Sequence, residues 1–258
     1  MGAQKPTIVL VPGAWHYPQC YDLLVDRLHK HDYETRAVKL KSVIAAEEPR
    51  VESRQEDVDA VREVIQPLIE QGKEIIVLGH SYGGTVISEA ASGLGKKNND
   101  TGGIVHLIYC CAFLINEGDS IMAMRQNSDL SPGIPQHYNT LGDDGLTLRI
   151  LKEHAIDALY NDVEPELAQK AVDSLGLHCL STILTPQEKC AYKEISTTYI
   201  LCEQDKTIFP FLQQYMVDQA GIKDVVKLNA SHSPFLSQPD NVFDIVDRVA
   251  RTKRNEEI

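Results

Sequence analysis

Ile75-Ile76-Val77-Leu78-Gly79-His80-Ser81-Tyr82-Gly83-Gly84 runs from a block of apolar side chains straight into a serine bracketed by glycines. Four apolar residues in a row leave neither face polar, which predicts a buried strand of a parallel sheet. The glycines stop it, and a helix is predicted from there to about residue 91. A serine at such a junction sits in a turn so tight that its backbone is strained. Glycine at 79 and 83 removes Cβ atoms that would collide with neighbouring elements. The turn presents the Ser81 hydroxyl at the carboxyl edge of the sheet, over a helix N-terminus that favours negative charge. Ser81 is therefore the candidate nucleophile. Gly-x-Ser-x-Gly alone occurs by chance on the order of 0.1 times in a chain this long at average usage. The flanking strand and helix carry the reading.

Outward from this turn the same alternation continues. Thr7-Ile8-Val9-Leu10-Val11 reads as a buried strand stopped by Pro12-Gly13. Residues 18–31 and 56–70 carry helical stripes, the second through Val58, Val61, Val64, Ile65 and Leu68. Strands are predicted at 34–40, within 104–114, at 197–202 and at 224–228, and helices at 209–219 and 240–251. The fold class predicted is α/β, a mostly parallel sheet of about six strands with helices on both faces. Residues 117–194 break the rhythm. They hold helical patterns such as 164–174, joints at Pro132, Gly133, Pro135, Gly142 and Gly145, and no convincing strand. The predicted division is a core of 1–116 and 195–258 with a helical cap of 117–194.

A serine hydroxyl needs a base to take its proton. Of nine histidines, His232 is best placed, after the last strand and before the final helix. His29, His31, His106, His137, His154 and His178 receive structural or peripheral readings. His80 is expected to point away from Ser81. The base needs an acid to fix its tautomer. Asp205 closes the fifth strand, with Glu203 and Asp119 as rivals. The chain order is then Ser81, Asp205, His232. The developing oxyanion requires donors, and the amides of Tyr82 and Ala14 are the candidates, Ala14 from its position in the loop Pro12-Gly13-Ala14-Trp15-His16. Trp15 and His16 are candidate substrate contacts, with packing beside the site and loop anchoring as their alternatives.

Composition narrows the classes. Lys and Arg number 25 against 37 Asp and Glu, a net charge of −12 over 258 residues. Such a chain repels phosphate backbones and anionic bilayers, so neither nucleic acid nor membrane is an expected partner. A small-molecule substrate is expected, and a homodimer is left open. No apolar run approaches a membrane span, and the start has no signal-peptide layout, so a cytoplasmic protein is expected. Cys20, Cys110, Cys111, Cys179, Cys190 and Cys202 are scattered without Cys-x-x-Cys, so neither disulfides nor a metal site is expected. Sequons stand at Asn99-Asp100-Thr101 and Asn229-Ala230-Ser231; a glycan on the second would block His232.

The chain resembles the α/β-hydrolase superfamily, in particular the small branch that includes plant methylesterases and hydroxynitrile lyases. The pieces that carry this are Val9-Leu10-Val11-Pro12-Gly13-Ala14-Trp15-His16, Gly79-His80-Ser81-Tyr82-Gly83-Gly84, Asp205-Lys206-Thr207 and Ser231-His232-Ser233-Pro234-Phe235-Leu236-Ser237-Gln238-Pro239. Pro12-Gly13 departs from the usual His-Gly of the oxyanion loop. The resemblance implies a Ser81-His232-Asp205 triad and no cofactor. Ser81 at the elbow argues against the Asp-based dehalogenases and epoxide hydrolases. Ser233 and Gly13 stand where hydroxynitrile lyases carry Lys and Thr, which favours hydrolysis. The expected activity is cleavage of a carboxylic ester, lactone or thioester of a small apolar molecule. Alternatives are C–C cleavage or cyclisation on the same triad, and a ligand receptor on a hydrolase scaffold. Met122, Met124, Leu146, Leu148 and Tyr160 are candidate pocket lining, with the cap's own core as the alternative.

Overall fold

A computed structural model describes residues 5–255 other than Asn99, Ser128 and Gln136. Readings made on residues 1–4, on Asn99 and on 256–258 lie outside them. The chain opens with β1 (Thr7–Val11), then α1 (Asp22–Lys30), β2 (Thr35–Ala37), β3 (Val43–Ile44), α2 (Gln55–Glu70) and β4 (Glu74–His80). α3 (Gly83–Ala90), β5 (Gly103–Cys110), α4 (Ile121–Gln126), β6 (Asn139–Leu141) and β7 (Thr147–Ile150) follow. Next come α5 (Lys152–Leu159), α6 (Pro165–Asp173), β8 (Leu177–Cys179), α7 (Ser181–Leu184) and β9 (Thr197–Cys202). The chain closes with α8 (Pro210–Ala220), β10 (Asp224–Leu228), α9 (Pro234–Ser237) and α10 (Pro239–Asn255).

Six strands form one parallel sheet in the order β10-β9-β5-β4-β1-β2. The apolar blocks of β1 and β4 are buried on both faces, as a sheet covered by helices requires. From β1 the chain steps outward to β2 and then returns to β4 on β1's other side. The connections leaving the carboxyl ends of β1 and β4 therefore run in opposite directions, and the crevice outside such a pair of strand ends is where such sheets bind ligands. Val11 pairs with Gly79, so the loop from Pro12 faces the turn at Ser81. The register of His80 with Cys110, Cys110 with Ile200 and Leu228 with Cys202 brings the other strand ends to the same edge.

α3 is buried along its whole length, and glycines let it approach. A Cβ on Gly83 would lie 2.6 Å from the Pro12 carbonyl oxygen, and one on Gly84 would lie 2.5 Å from that of Phe113.

The expectation that 117–194 lacks strands is corrected. β6, β7 and β8 join β3 in a four-stranded antiparallel sheet ordered β3-β8-β7-β6. β6, β7 and β8 are each three or four residues long with polar and apolar residues mixed, and β3 has two residues. Their cohesion comes from pairing distant in sequence, such as Val43 with His178. Among the described residues, no helix is long and apolar enough to cross a membrane, and the six cysteines are free thiols.

Candidate active site

Ser81 follows the last residue of β4 with φ +53°, in the left-handed region. Its amide donates to the Cys110 carbonyl at 3.2 Å, and its carbonyl accepts from Gly84 (3.0 Å) and Phe113 (3.1 Å). Main-chain bonds from β5, α3 and the segment after β5 thus hold the turn in a conformation that costs a non-glycine residue on the order of 1 kcal/mol. Trp15 (φ +65°) and Cys111 (φ +37°) are strained in the same sense at neighbouring strand ends. Backbone strain is concentrated at this edge of the sheet.

His232 and Asp205 meet beside it. His232 Nδ1 lies 2.7 Å from Asp205 Oδ2, and both side chains are buried. Asp205 Oδ1 accepts the amides of Thr207 (2.7 Å) and Ile208 (2.9 Å), and Oδ2 also accepts Gln213 Nε2 at 3.1 Å. Four donors fix the carboxylate, so the imidazole carries its proton on Nδ1 and leaves the Nε2 lone pair open. The rivals Glu203 and Asp119 are exposed. Ser81 Oγ makes no hydrogen bond to His232 among the described residues; such contacts commonly tighten only once substrate binds. Ser81 is 7% exposed and His232 1%, so the edge is covered.

His80 corrects the expectation that it turns away from Ser81. A Cβ built on Gly13 would sit 2.8 Å from His80 Nδ1 and 2.9 Å from Ser81 Cβ, so both side chains press on that glycine. The positive φ at Ser81 takes the chain out of the extended strand conformation directly after His80. His80 Nε2 donates to the His232 carbonyl at 2.8 Å, and the Cys111 thiol donates to the same oxygen at 3.2 Å. The rings of His80 and His232 lie 4.7 Å apart. His80, Cys111 and His232 each bring a potential metal ligand within 4.8 Å. In this conformation two of them clamp a carbonyl and the third binds Asp205. Burial, followed by the nearby His232 and His16, pushes the His80 pKa well below 6.5, so the donor is a neutral imidazole.

The opposite wall is the loop after β1. Among the described hydrogen bonds, the amides of Ala14 and Tyr82 donate to no protein acceptor, although both residues are buried. Buried amides are ordinarily paired, so these two are available donors on either side of Ser81. Trp15 Nε1 donates to the Leu148 carbonyl at 2.9 Å, and its ring meets Tyr138 edge-on. His16 has both nitrogens occupied, Nδ1 with the Ala14 carbonyl and Nε2 with the Tyr160 hydroxyl, each at 2.8 Å. Burial lowers its pKa to about 4. A substrate contact through either nitrogen would break one of these bonds.

Sequence reading missed a buried polar network under the turn. The Tyr82 hydroxyl donates to Asp57 Oδ2 at 2.7 Å, and the Ser42 amide donates to Oδ1 at 2.9 Å. Burial raises the Asp57 pKa against the pull of these bonds. His178 packs on the Tyr82 ring at 4.6 Å, with its pKa lowered to about 3 by burial. Arg54 pairs with Glu89 at 2.8 Å in the interior. Of the candidate lining, Leu148 and Tyr160 are buried and Met122 and Met124 pack partly on the core, whereas Leu146 is 59% exposed beside the β6–β7 turn.

A model of the alpha/beta hydrolase family matches residues 8–245. Alpha/beta hydrolase nvfD from Aspergillus novofumigatus is 36% identical over 249 residues, which are 95% of this chain and 97% of that protein. A carbendazim hydrolyzing esterase from Nocardioides sp. is 32% identical over 251 residues, 91% of this chain and 95% of that protein. A solved methylesterase from Arabidopsis superposes with a TM-score of 0.75 at 19% identity, covering 96% of this chain and 99% of the other, and so shares the fold.

Proposed function

This chain belongs to the alpha/beta hydrolase family and is a hydrolase, and from that premise we propose that it cleaves a carboxylic ester, lactone or thioester of a small apolar molecule through an acyl-enzyme on Ser81. The observation that carries this is the buried 2.7 Å contact of His232 Nδ1 with Asp205, set at the same sheet edge as a left-handed serine. His232 Nε2 accepts the Ser81 proton as Oγ bonds to the substrate's carbonyl carbon. The carbonyl π electrons move to oxygen, and the amides of Ala14 and Tyr82 bind that oxyanion. The tetrahedral adduct collapses, and His232 returns the proton to the departing alcohol or thiol; in a lactone that group stays tethered to the acyl part. Water, deprotonated by His232, then attacks the acyl carbon and releases the acid and Ser81.

Residues 117–194 act in this reading as the cap over the edge, gripping the loop after β1 through Leu148 and Tyr160. Relatives named as esterases support an ester over other acyl groups. Rapid mixing with 4-nitrophenyl butyrate tests the proposal. A burst of nitrophenol stoichiometric with enzyme, lost in Ser81→Ala, is expected; steady hydrolysis surviving in Ser81→Ala would end it.

A further inference from the structure

We infer that Tyr160 is a positioning residue for this hydrolysis, its hydroxyl acting through His16 to hold the Ala14 amide where the oxyanion forms. This rests on the reading of the Ala14 and Tyr82 amides as the oxyanion donors. The two are held by different means. The Ser81–Tyr82 peptide is fixed by two main-chain bonds to the Ser81 carbonyl, at 3.0 and 3.1 Å. The Gly13–Ala14 peptide has one main-chain bond, from the His16 amide to the Gly13 carbonyl, at 3.3 Å. A trans peptide points its N–H opposite its C=O, so among the described residues this long bond is the main-chain contact that sets the direction of the Ala14 amide.

Side chains supply the rest. The Ala14 carbonyl accepts from His16 Nδ1 at 2.8 Å, which fixes the imidazole tautomer and makes Nε2 an acceptor. The Tyr160 hydroxyl donates to that nitrogen at 2.8 Å. All three groups are buried, so no solvent molecule from bulk substitutes freely for a missing partner. With the low pKa of His16, the ring stays neutral and able to accept over the working pH range. The neighbouring peptide is tied to the same segment, because the Gly176 amide donates to the Trp15 carbonyl at 2.9 Å. Of the bonds between residues 148–176 and this loop, the Tyr160 hydroxyl is one that a substitution can delete without touching main chain. Removing it leaves His16 Nε2 buried and bare, frees the ring to turn, and loosens the weaker of the two donors.

An oxyanion forms only on the way to the transition state, so the loss falls on kcat and not KM. Tyr160→Phe is expected to lower kcat on 4-nitrophenyl butyrate about tenfold, less than the roughly hundredfold or more for deleting a donor outright. KM should stay within about twofold. Binding of a trifluoromethyl ketone, whose Ser81 hemiketal carries the same oxyanion, should weaken in the same proportion. In a His16→Ala background, Tyr160→Phe should change nothing further, because its route is gone. If His16→Ala does not fold, His16→Asn serves: its amide keeps a donor to the Ala14 carbonyl and removes the Nε2 acceptor. Tyr160→Phe with unchanged kcat, or effects that multiply in the double variant, would overturn the inference and leave the triad standing. Retained hydrolysis in Ser81→Ala would instead overturn the reading beneath it.

Discussion

Replacing Gly13 by alanine puts one methyl carbon against both His80 and Ser81. Its Cβ would lie 2.8 Å from His80 Nδ1, 2.9 Å from Ser81 Cβ and 3.2 Å from His80 Cε1. Comfortable contact needs about 3.5 Å, so something must move by about 0.7 Å. Neither neighbour yields easily. His80 is held by its 2.8 Å bond to the His232 carbonyl, and Ser81 by the main-chain bonds that maintain its left-handed turn. The loop therefore moves, and it carries the Ala14 amide with it. A misplacement of about 1 Å can cost on the order of a hundredfold in rate, so a shift of this size predicts a fall in kcat of roughly ten- to a hundredfold. Overpacking also costs about 1–3 kcal/mol of stability, a drop of several degrees in melting temperature. Steady-state hydrolysis of 4-nitrophenyl butyrate and a thermal melt, both on Gly13→Ala, read the two effects. A folded variant with kcat within about twofold of the parent would refute the reasoning.

Asp205→Asn should keep the fold, since one carbonyl oxygen still accepts the Thr207 and Ile208 amides, yet lower kcat by about 10⁴ by forcing the wrong His232 tautomer; turnover within tenfold of the parent would contradict this. His16 and His178 are buried with pKa values lowered to about 4 and about 3, and His80 lies well below 6.5. Unfolded histidines take protons near 6.5, so this stability is fully present above that pH and is lost as the pH falls toward 4. At pH 5 the loss should be about 2 kcal/mol for each of His16 and His178, partly offset by Asp57, whose raised pKa acts in the opposite direction. Urea midpoints that agree at pH 7.5 and pH 5 would rule it out. Arg54→Met strands the buried Glu89 carboxylate and should cost about 3–5 kcal/mol in urea unfolding, most of it recovered when Glu89→Leu is added; a single variant as stable as the parent would show that the pair contributes nothing.

The parallel sheet was legible because each of its buried strands is a short apolar block bounded by turn residues, and 197–202 and 224–228 coincide with β9 and β10. The turn at Ser81 was legible for the same reason: its glycines are local requirements written beside the serine. Family membership followed from these local blocks, and a solved methylesterase has the same fold. What escaped is non-local. Leu177-His178-Cys179 has no strand signature of its own and is a strand because Val43–Ile44 and Thr147–Leu148 pair with it. Asp57, in the acidic first turn of α2, resembles a solvated helix start, and only the fold brings the Tyr82 hydroxyl to it. His80 was expected to point away from Ser81, and the His232 carbonyl that its ring holds is 152 residues away, so only the fold brings the two together.

The proposed chemistry requires one activated hydroxyl in the chain, and a fluorophosphonate probe followed by peptide mapping addresses that directly. A single adduct on Ser81 is expected, none in Ser81→Ala, and labelling of His232→Ala slowed by at least about a hundredfold. An adduct on another residue, or His232→Ala labelling at the parent rate, would contradict it.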